Sequence, residues 1–196
     1  MIKSRTEVAV YQKPKKGNYY CGDSYYYTET ENEFICVIAD GLGSGEFAKE
    51  SSQVVINIVK AHIDASVKTL IKMCNQSLMG KRGVVLGLLK IDFDQKHYTF
   101  SSVGNIGIVM ISNWKKKRNI PNAGFLAGYE RPFKVVSGEL KPEMRFVVFS
   151  DGVTDADLSQ PFMLYNNVHE LTHAFSEYKA DQADDDTTMI TIKYTG

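Results

Sequence analysis

Asp23, Asp40, Asp151 and Asp185 are scattered along the chain, yet each falls where a β-strand is expected to begin or end. Carboxylates gathered at close range repel, so leaving several ionised together is costly unless a cation sits among them. Hard oxygen ligands of this kind select Mg²⁺ or Mn²⁺ over softer metals. Two of the four are followed by glycine, as Asp40-Gly41 and Asp151-Gly152. Glycine lets the chain turn sharply off a strand end and lets a backbone carbonyl approach a ligand. Asp-Gly is also a common turn dipeptide, so one such pair says little and the set of four says more. Two cations sharing a water would lower its pKa toward neutrality and present hydroxide to a phosphorus centre. They would also offset the charge that grows on phosphoryl oxygens. This chemistry needs no covalent protein nucleophile, and no nucleophile elbow or Ser/His/Asp set is evident.

The elements around these residues explain how they could meet. Strands are expected over Ser24–Thr30 and Phe34–Ala39, joined by a tight turn at Glu31-Asn32-Glu33. Asp23 opens the first and Asp40 closes the second, and an antiparallel hairpin brings those two ends together. Asp151 follows a strand over Arg145–Ser150, and Asp185 precedes a strand over Thr187–Tyr194; antiparallel pairing would give them a shared edge. Helical periodicity runs from Ser44 to about His62, over Ser66–Met79 and over Asn167–Tyr178. Ser44 is a candidate cap of the first helix. Further strands are expected over Val84–Asp92, His97–Val103, Ile106–Ser112 and Phe133–Val136, with an irregular stretch at Asn119–Arg131. Sequential hairpins with separate helix pairs imply an α+β fold, two antiparallel sheets stacked face to face with helices outside. A doubly wound parallel fold would need a helix between most strands.

Composition narrows the classes. The 196 residues are 43% apolar and 23% charged, with 23 basic against 23 acidic residues, which suits one folded domain over 1–196. Zero net charge argues against a nucleic-acid partner. No apolar run approaches the roughly 18 residues a membrane span needs, and the start lacks a secretory signal. Cys21, Cys36 and Cys74 form no CxxC pair, which suits a reducing cytosol. A cytoplasmic monomer is the expectation.

Four segments carry a resemblance: Cys21-Gly22-Asp23-Ser24, Ala39-Asp40-Gly41-Leu42-Gly43-Ser44-Gly45, Ser150-Asp151-Gly152 and Asp185-Asp186-Thr187-Thr188. In this order they resemble the metal-dependent PP2C-type serine/threonine phosphatases, and most of all the compact bacterial SpoIIE-like branch. Lys81-Arg82-Gly83 and Ser102-Val103-Gly104-Asn105 are similar to segments of that branch's small feedback phosphatases of the general stress response. The resemblance implies an αββα sandwich and at least two ions, Mn²⁺ or Mg²⁺. It implies that Asp40 bridges them, that Gly41 offers its carbonyl, and that Asp23, Asp151 and Asp185 complete the centre. Asp40 and Asp151 are the catalytic candidates. The implied substrates are phosphoserine and phosphothreonine on stressosome proteins, the scaffold and co-scaffold, whose dephosphorylation resets the response. Two positions depart from the larger enzymes: Leu42 stands where they place a histidine after Asp-Gly, and Lys13, Lys15 and Lys16 stand where they place a phosphate-holding arginine.

Rival signals are weaker. His169-Glu170-Leu171-Thr172-His173 fits the HExxH spacing of zinc peptidases, but the helical stripe Val168, Leu171, Ala174, Phe175 and Tyr178 puts both histidines on the opposite face. Gly41-Leu42-Gly43-Ser44-Gly45-Glu46 lacks the last glycine of a dinucleotide fingerprint. A pseudo-phosphatase that binds phosphoproteins without turnover would be marked by a missing metal aspartate, and all four are present. Lys115–Arg118 reads as a solvated β connection, and Cys21 as a small buried residue.

Overall fold

Strand β3 (Glu33–Gly41) sends Phe34, Cys36 and Ile38 into one core and Ile35, Val37 and Ala39 into another, all buried. With a side-chain period of two, a strand apolar on both faces must be covered on both. Strand β9 (Arg145–Phe149) behaves alike: Phe146 and Val148 face the first core, Val147 and Phe149 a third. These two strands fix four layers, with two sheets packed on each other and helices against each outer face.

The computed structural model describes residues 4–43, 45–180, 182 and 184–196. One sheet holds β2 (Asp23–Glu29), β3, β4 (Val84–Asp92), β5 (His97–Val103) and β8 (Val136–Glu139) in that spatial order. The other runs β1 (Thr6–Lys13), β10 (Thr187–Tyr194), β9, β6 (Gly107–Ser112) and β7 (Lys115–Arg118). All named pairings are antiparallel. Helices α1 (Glu46–Ala61) and α2 (Val67–Ser77) cover the first sheet, and α4 (Val168–Tyr178) packs on β1 and β10. A short α3 (Asp155–Leu158) and a 3-10 turn (Pro161–Leu164) lie between. This is the α+β sandwich the strand and helix pattern implies.

Differences from the expected elements have physical causes. Strand β1 was not anticipated; Val8 and Val10 pack on the intersheet core while Tyr11 packs on the α4 side. The strand expected at Phe133–Val136 begins only at Val136, because Phe133 and Val135 pack beneath the helices. Lys134 is bonded there by side chains: its carbonyl accepts from Ser101 Oγ at 2.8 Å and its N–H donates to Asn122 Oδ1 at 2.7 Å. Lys115–Arg118 is itself a strand, exposed throughout, at one edge of its sheet. Ser44 lies outside the described residues, and Gly45 occupies the position before α1. Ser66 caps α2 by accepting from Thr69 N–H, and Asn167 caps α4.

Between α3 and α4 lies a buried ion pair, Lys179 Nζ to Asp157 Oδ2 at 2.8 Å. The same carboxylate accepts from Thr154 N–H at 2.7 Å and closes a capping box. Asp157→Ala would leave Lys179 charged and unpaired, so it is expected to cost about 3–5 kcal/mol in urea unfolding. Asp157→Leu combined with Lys179→Met should recover most of that loss.

Candidate metal centre

Register places Asp23 directly opposite Asp40 at the end of the β2–β3 hairpin. In the other sheet Phe149 lies opposite Met189, and Ser150 N–H donates to the Thr188 carbonyl at 3.0 Å. Asp151 and the Asp185-Asp186 pair therefore leave their strands at a common end. The two sheets are then tied across. Thr188 Oγ1 on β10 donates to Asp23 Oδ2 at 2.7 Å and accepts from Gln12 Nε2 on β1 at 3.1 Å. Asp186 takes Gly22 N–H on Oδ2 at 2.9 Å and Lys15 N–H on Oδ1 at 2.8 Å. Helix α1 clamps the same corner, with Lys49 Nζ donating to the Asp23 carbonyl at 2.6 Å and Ser52 Oγ to the Gly22 carbonyl at 3.0 Å.

The electrostatics are those of crowded acids. Burial pushes the Asp40 carboxyl up to about 8, and Asp23, Asp151, Asp186 and Asp185 add repulsion. Burial likewise raises Asp23 to about 6, with Asp186 and Asp151 adding to it and the Thr188 and Ser150 hydroxyls opposing. Asp151 is raised by desolvation and by Asp185, against a 2.6 Å hydrogen bond from Asn105 Nδ2. Asp23 is 1% exposed, and its Oδ1 has no hydrogen-bond partner. Among the described residues no cationic side chain pairs with any of these carboxylates.

An unsatisfied buried carboxylate oxygen inside a repelling acidic cluster is the donor set a divalent cation fits. Among the described residues no three such side chains already form a chelating group, so a cation would have to draw them closer. Gly41 is buried where its strand meets α1, and a Cβ there would overlap the Ala48 carbonyl. Only glycine permits that approach.

All four expected aspartates are gathered at this edge, and two residues join them that the strand-end argument did not select. Asp186 bonds the Gly22 backbone ahead of β2 in the other sheet and the Lys15 backbone beyond β1 in its own, and Asn105 reaches Asp151 from the β5–β6 turn. Repetition of acid in Asp185-Asp186 and an asparagine in a Gly-Asn turn were the available signals. The basic run does not supply a phosphate clamp through Lys13, whose ammonium donates to the Ala180 carbonyl at 2.6 Å. Leu42 is partly exposed, and its N–H donates to the Gly83 carbonyl at 2.8 Å. His169 and His173 both face solvent, and His173 lies 3.7 Å from Glu177, so the HExxH helix builds no cleft. Cys21 is buried and its thiol is pushed up to about 12 by desolvation, which leaves it inert.

Comparison with known proteins agrees. Residues 30–195 match the family model of Stage II sporulation protein E (SpoIIE). Phosphoserine phosphatase RsbX of Bacillus subtilis (strain 168) is 31% identical over 185 residues, covering 94% of this chain and 93% of that protein. The crystal structure of RsbX in complex with magnesium superposes with a TM-score of 0.90 at 30% identity, over 98% of this chain and 97% of that one. A structure from work on the bacterial stressosome as a modular system controlling secondary messenger signalling follows, with TM-score 0.85 and 25% identity over 96% of this chain and all of that one. The PP2C phosphatase domain of SpoIIE from Bacillus subtilis shares the fold, with TM-score 0.78 at 20% identity over 97% of this chain and 62% of that one.

Because Asp40 is raised from its ordinary 3.8 to about 8, its neutral form favours the folded state. That contribution is present at acid pH and is lost as pH rises through about 8. Chelator-treated protein should therefore melt at lower temperature near pH 8 than near pH 5, by roughly 5 °C or more. Asp40→Asn should flatten this dependence, and Mn²⁺ should restore the wild type at alkaline pH but not the variant, as read by thermal shift.

Proposed function

The chain belongs to the SpoIIE family and is a phosphatase of the PP2C type, and from that premise we propose a metal-dependent protein serine/threonine phosphatase that dephosphorylates stressosome proteins. The observation that carries the metal dependence is Asp23, a carboxylate closed off from water, bonded across the sheets through one oxygen and unsatisfied at the other. Asp23, Asp40, Asp151, Asp185 and the Gly41 carbonyl would hold at least two ions, Mn²⁺ or Mg²⁺. When bound, the ions would acidify a water and offset charge on the phosphoryl oxygens.

The protein's own groups divide the remaining work. Asn105 orients Asp151 through its 2.6 Å bond, and Thr188 orients Asp23. With Leu42 after Asp40-Gly41, no imidazole follows the Asp-Gly pair, so the leaving serine oxygen would take its proton from water or from another group. Support for the substrate is similarity to the phosphoserine phosphatase RsbX and to a chain from a stressosome structure. Removing phosphate from the scaffold and co-scaffold would return the complex to rest and damp the stress response. Residues 1–196 would act as one catalytic domain, a cytoplasmic monomer; among the described residues no helix is long and apolar enough to cross a membrane.

Purified protein should release phosphate from a phosphoserine protein with Mn²⁺ and lose that activity to chelator. Asp40→Asn and Asp151→Asn should each lower turnover by about 100-fold or more while the circular dichroism spectrum is unchanged. Asn105→Ala should weaken activation by Mn²⁺ by about 10–100-fold, read as a shift in the metal titration midpoint. Retained activity in chelator would refute the metal-dependent reading.

A further inference from the structure

Between α2 and the segment 122–133 lies a cavity of about 570 Å³, within the ~300–1,000 Å³ span of ligand-binding pockets. Its floor is apolar, built by Ile71, Val103 and Leu126, all buried. Its rim is basic: Lys68, Lys72 and Arg131 stand against the single acid Glu130. Among the described residues none of the three cations is in an ion pair. Phe125 lines the cavity and is 37% exposed, and next to the lining residue Gly128 stand Met79 and Tyr129, 72% and 75% exposed. Exposed apolar side chains around a pocket mark a protein-binding surface more than a small-molecule site.

The wall of this cavity is wired to both arms of the acidic centre. Gly41 is the register partner of Val84, and Val84 in turn exchanges two 2.8 Å hydrogen bonds with Leu126. Leu126 therefore lies two strand spacings from Gly41, about 10 Å. On the other arm, Gly104 N–H donates to the Asn122 carbonyl at 2.8 Å, and the adjacent Asn105 holds Asp151. Phe125 meets Leu42 over Gly83, where any side chain would collide with both. Asn75 on α2 fixes the outer wall, donating to the Tyr129 carbonyl at 2.8 Å and accepting from the Ala127 and Gly128 N–H groups.

We propose that this cavity docks an acidic segment of the phosphoprotein substrate, seating one apolar side chain on the Ile71–Leu126 floor while Lys68, Lys72 and Arg131 meet its carboxylates. The inference rests on the phosphatase reading of the neighbouring centre. At about 3.3 Å per extended residue, a span of ~10 Å puts the apolar anchor about three residues from the phosphorylated serine.

The test compares three substrates with Mn²⁺ present. One is a phosphoserine peptide with leucine three residues away and flanking Asp and Glu; the second has Lys in place of those acids. The third is p-nitrophenyl phosphate, too small to reach the cavity. Wild type should show a KM for the acidic peptide about tenfold below that for the basic one. Lys68→Glu, Lys72→Glu and Arg131→Glu together should erase that preference through KM and leave p-nitrophenyl phosphate turnover unchanged. Replacing the peptide leucine by serine should raise KM in the wild type and in the triple variant alike, since the apolar floor is unchanged. Anisotropy of the labelled acidic peptide on chelator-treated protein should show the same loss of binding. A preference that survives the triple variant overturns the proposal. So does a wild-type dimer that the variant dissociates in sedimentation, which would place a second copy in the cavity. Absence of p-nitrophenyl phosphate turnover by the wild type would instead refute the phosphatase reading beneath it.

Discussion

A buried carboxylate with half of its hydrogen bonding left open organises this molecule. Asp23 sits at the corner where two sheets, helix α1 and the strand-end aspartates converge, and one hydroxyl, Thr188 Oγ1, binds it across the sheet interface. Burying an ionised group without a counter-charge is among the costlier things a fold can do. Here the cost is multiplied, since Asp40, Asp151, Asp185 and Asp186 all lie within electrostatic reach. The sandwich holds this corner together through its two large cores, whose apolar strands leave the register no freedom to slip.

That division of labour explains the conservative scaffold and the exacting corner. Strands β3 and β9 are apolar on both faces, so their ends are positioned by packing far from the acids. The ends themselves carry constrained residues: Gly41 because α1 passes too close for a side chain, and Thr188 because the position needs a hydroxyl that donates one way and accepts the other. The likeness of fold to the RsbX structure at 30% identity follows the same logic, since apolar cores tolerate many substitutions that keep volume and patterning.

Much of this was legible in the chain. Period-two alternation located most of the strands, hairpin geometry brought Asp23 opposite Asp40, and the condition that put Asp151 and Asp185 at one edge, antiparallel pairing of β9 with β10, is met. What the sequence concealed depends on distant partners. Strand β1 reads as an ordinary polar-apolar stretch until β10 is there to receive it. The segment at Phe133–Val135 looks like a strand, yet Asn122 and Ser101 take its backbone bonds. Asp186 could not be told from a simple turn acid, because its ligands are the N–H groups of Lys15 and Gly22, far away along the chain. Asn105 was similarly hidden, as its partner Asp151 belongs to the neighbouring strand's exit.

The fully exposed strand Lys115–Arg118 has a consequence for how the molecule behaves among its own copies. An edge strand offers free amide and carbonyl groups, which invites sheet-to-sheet growth into fibrils. Here every residue along that border is cationic. Two such borders meeting would bring Lys115, Lys116 and Lys117 against like charge, with Arg118 alone offset by its ion pair to Asp155, and that repulsion opposes extension of the ladder from this edge.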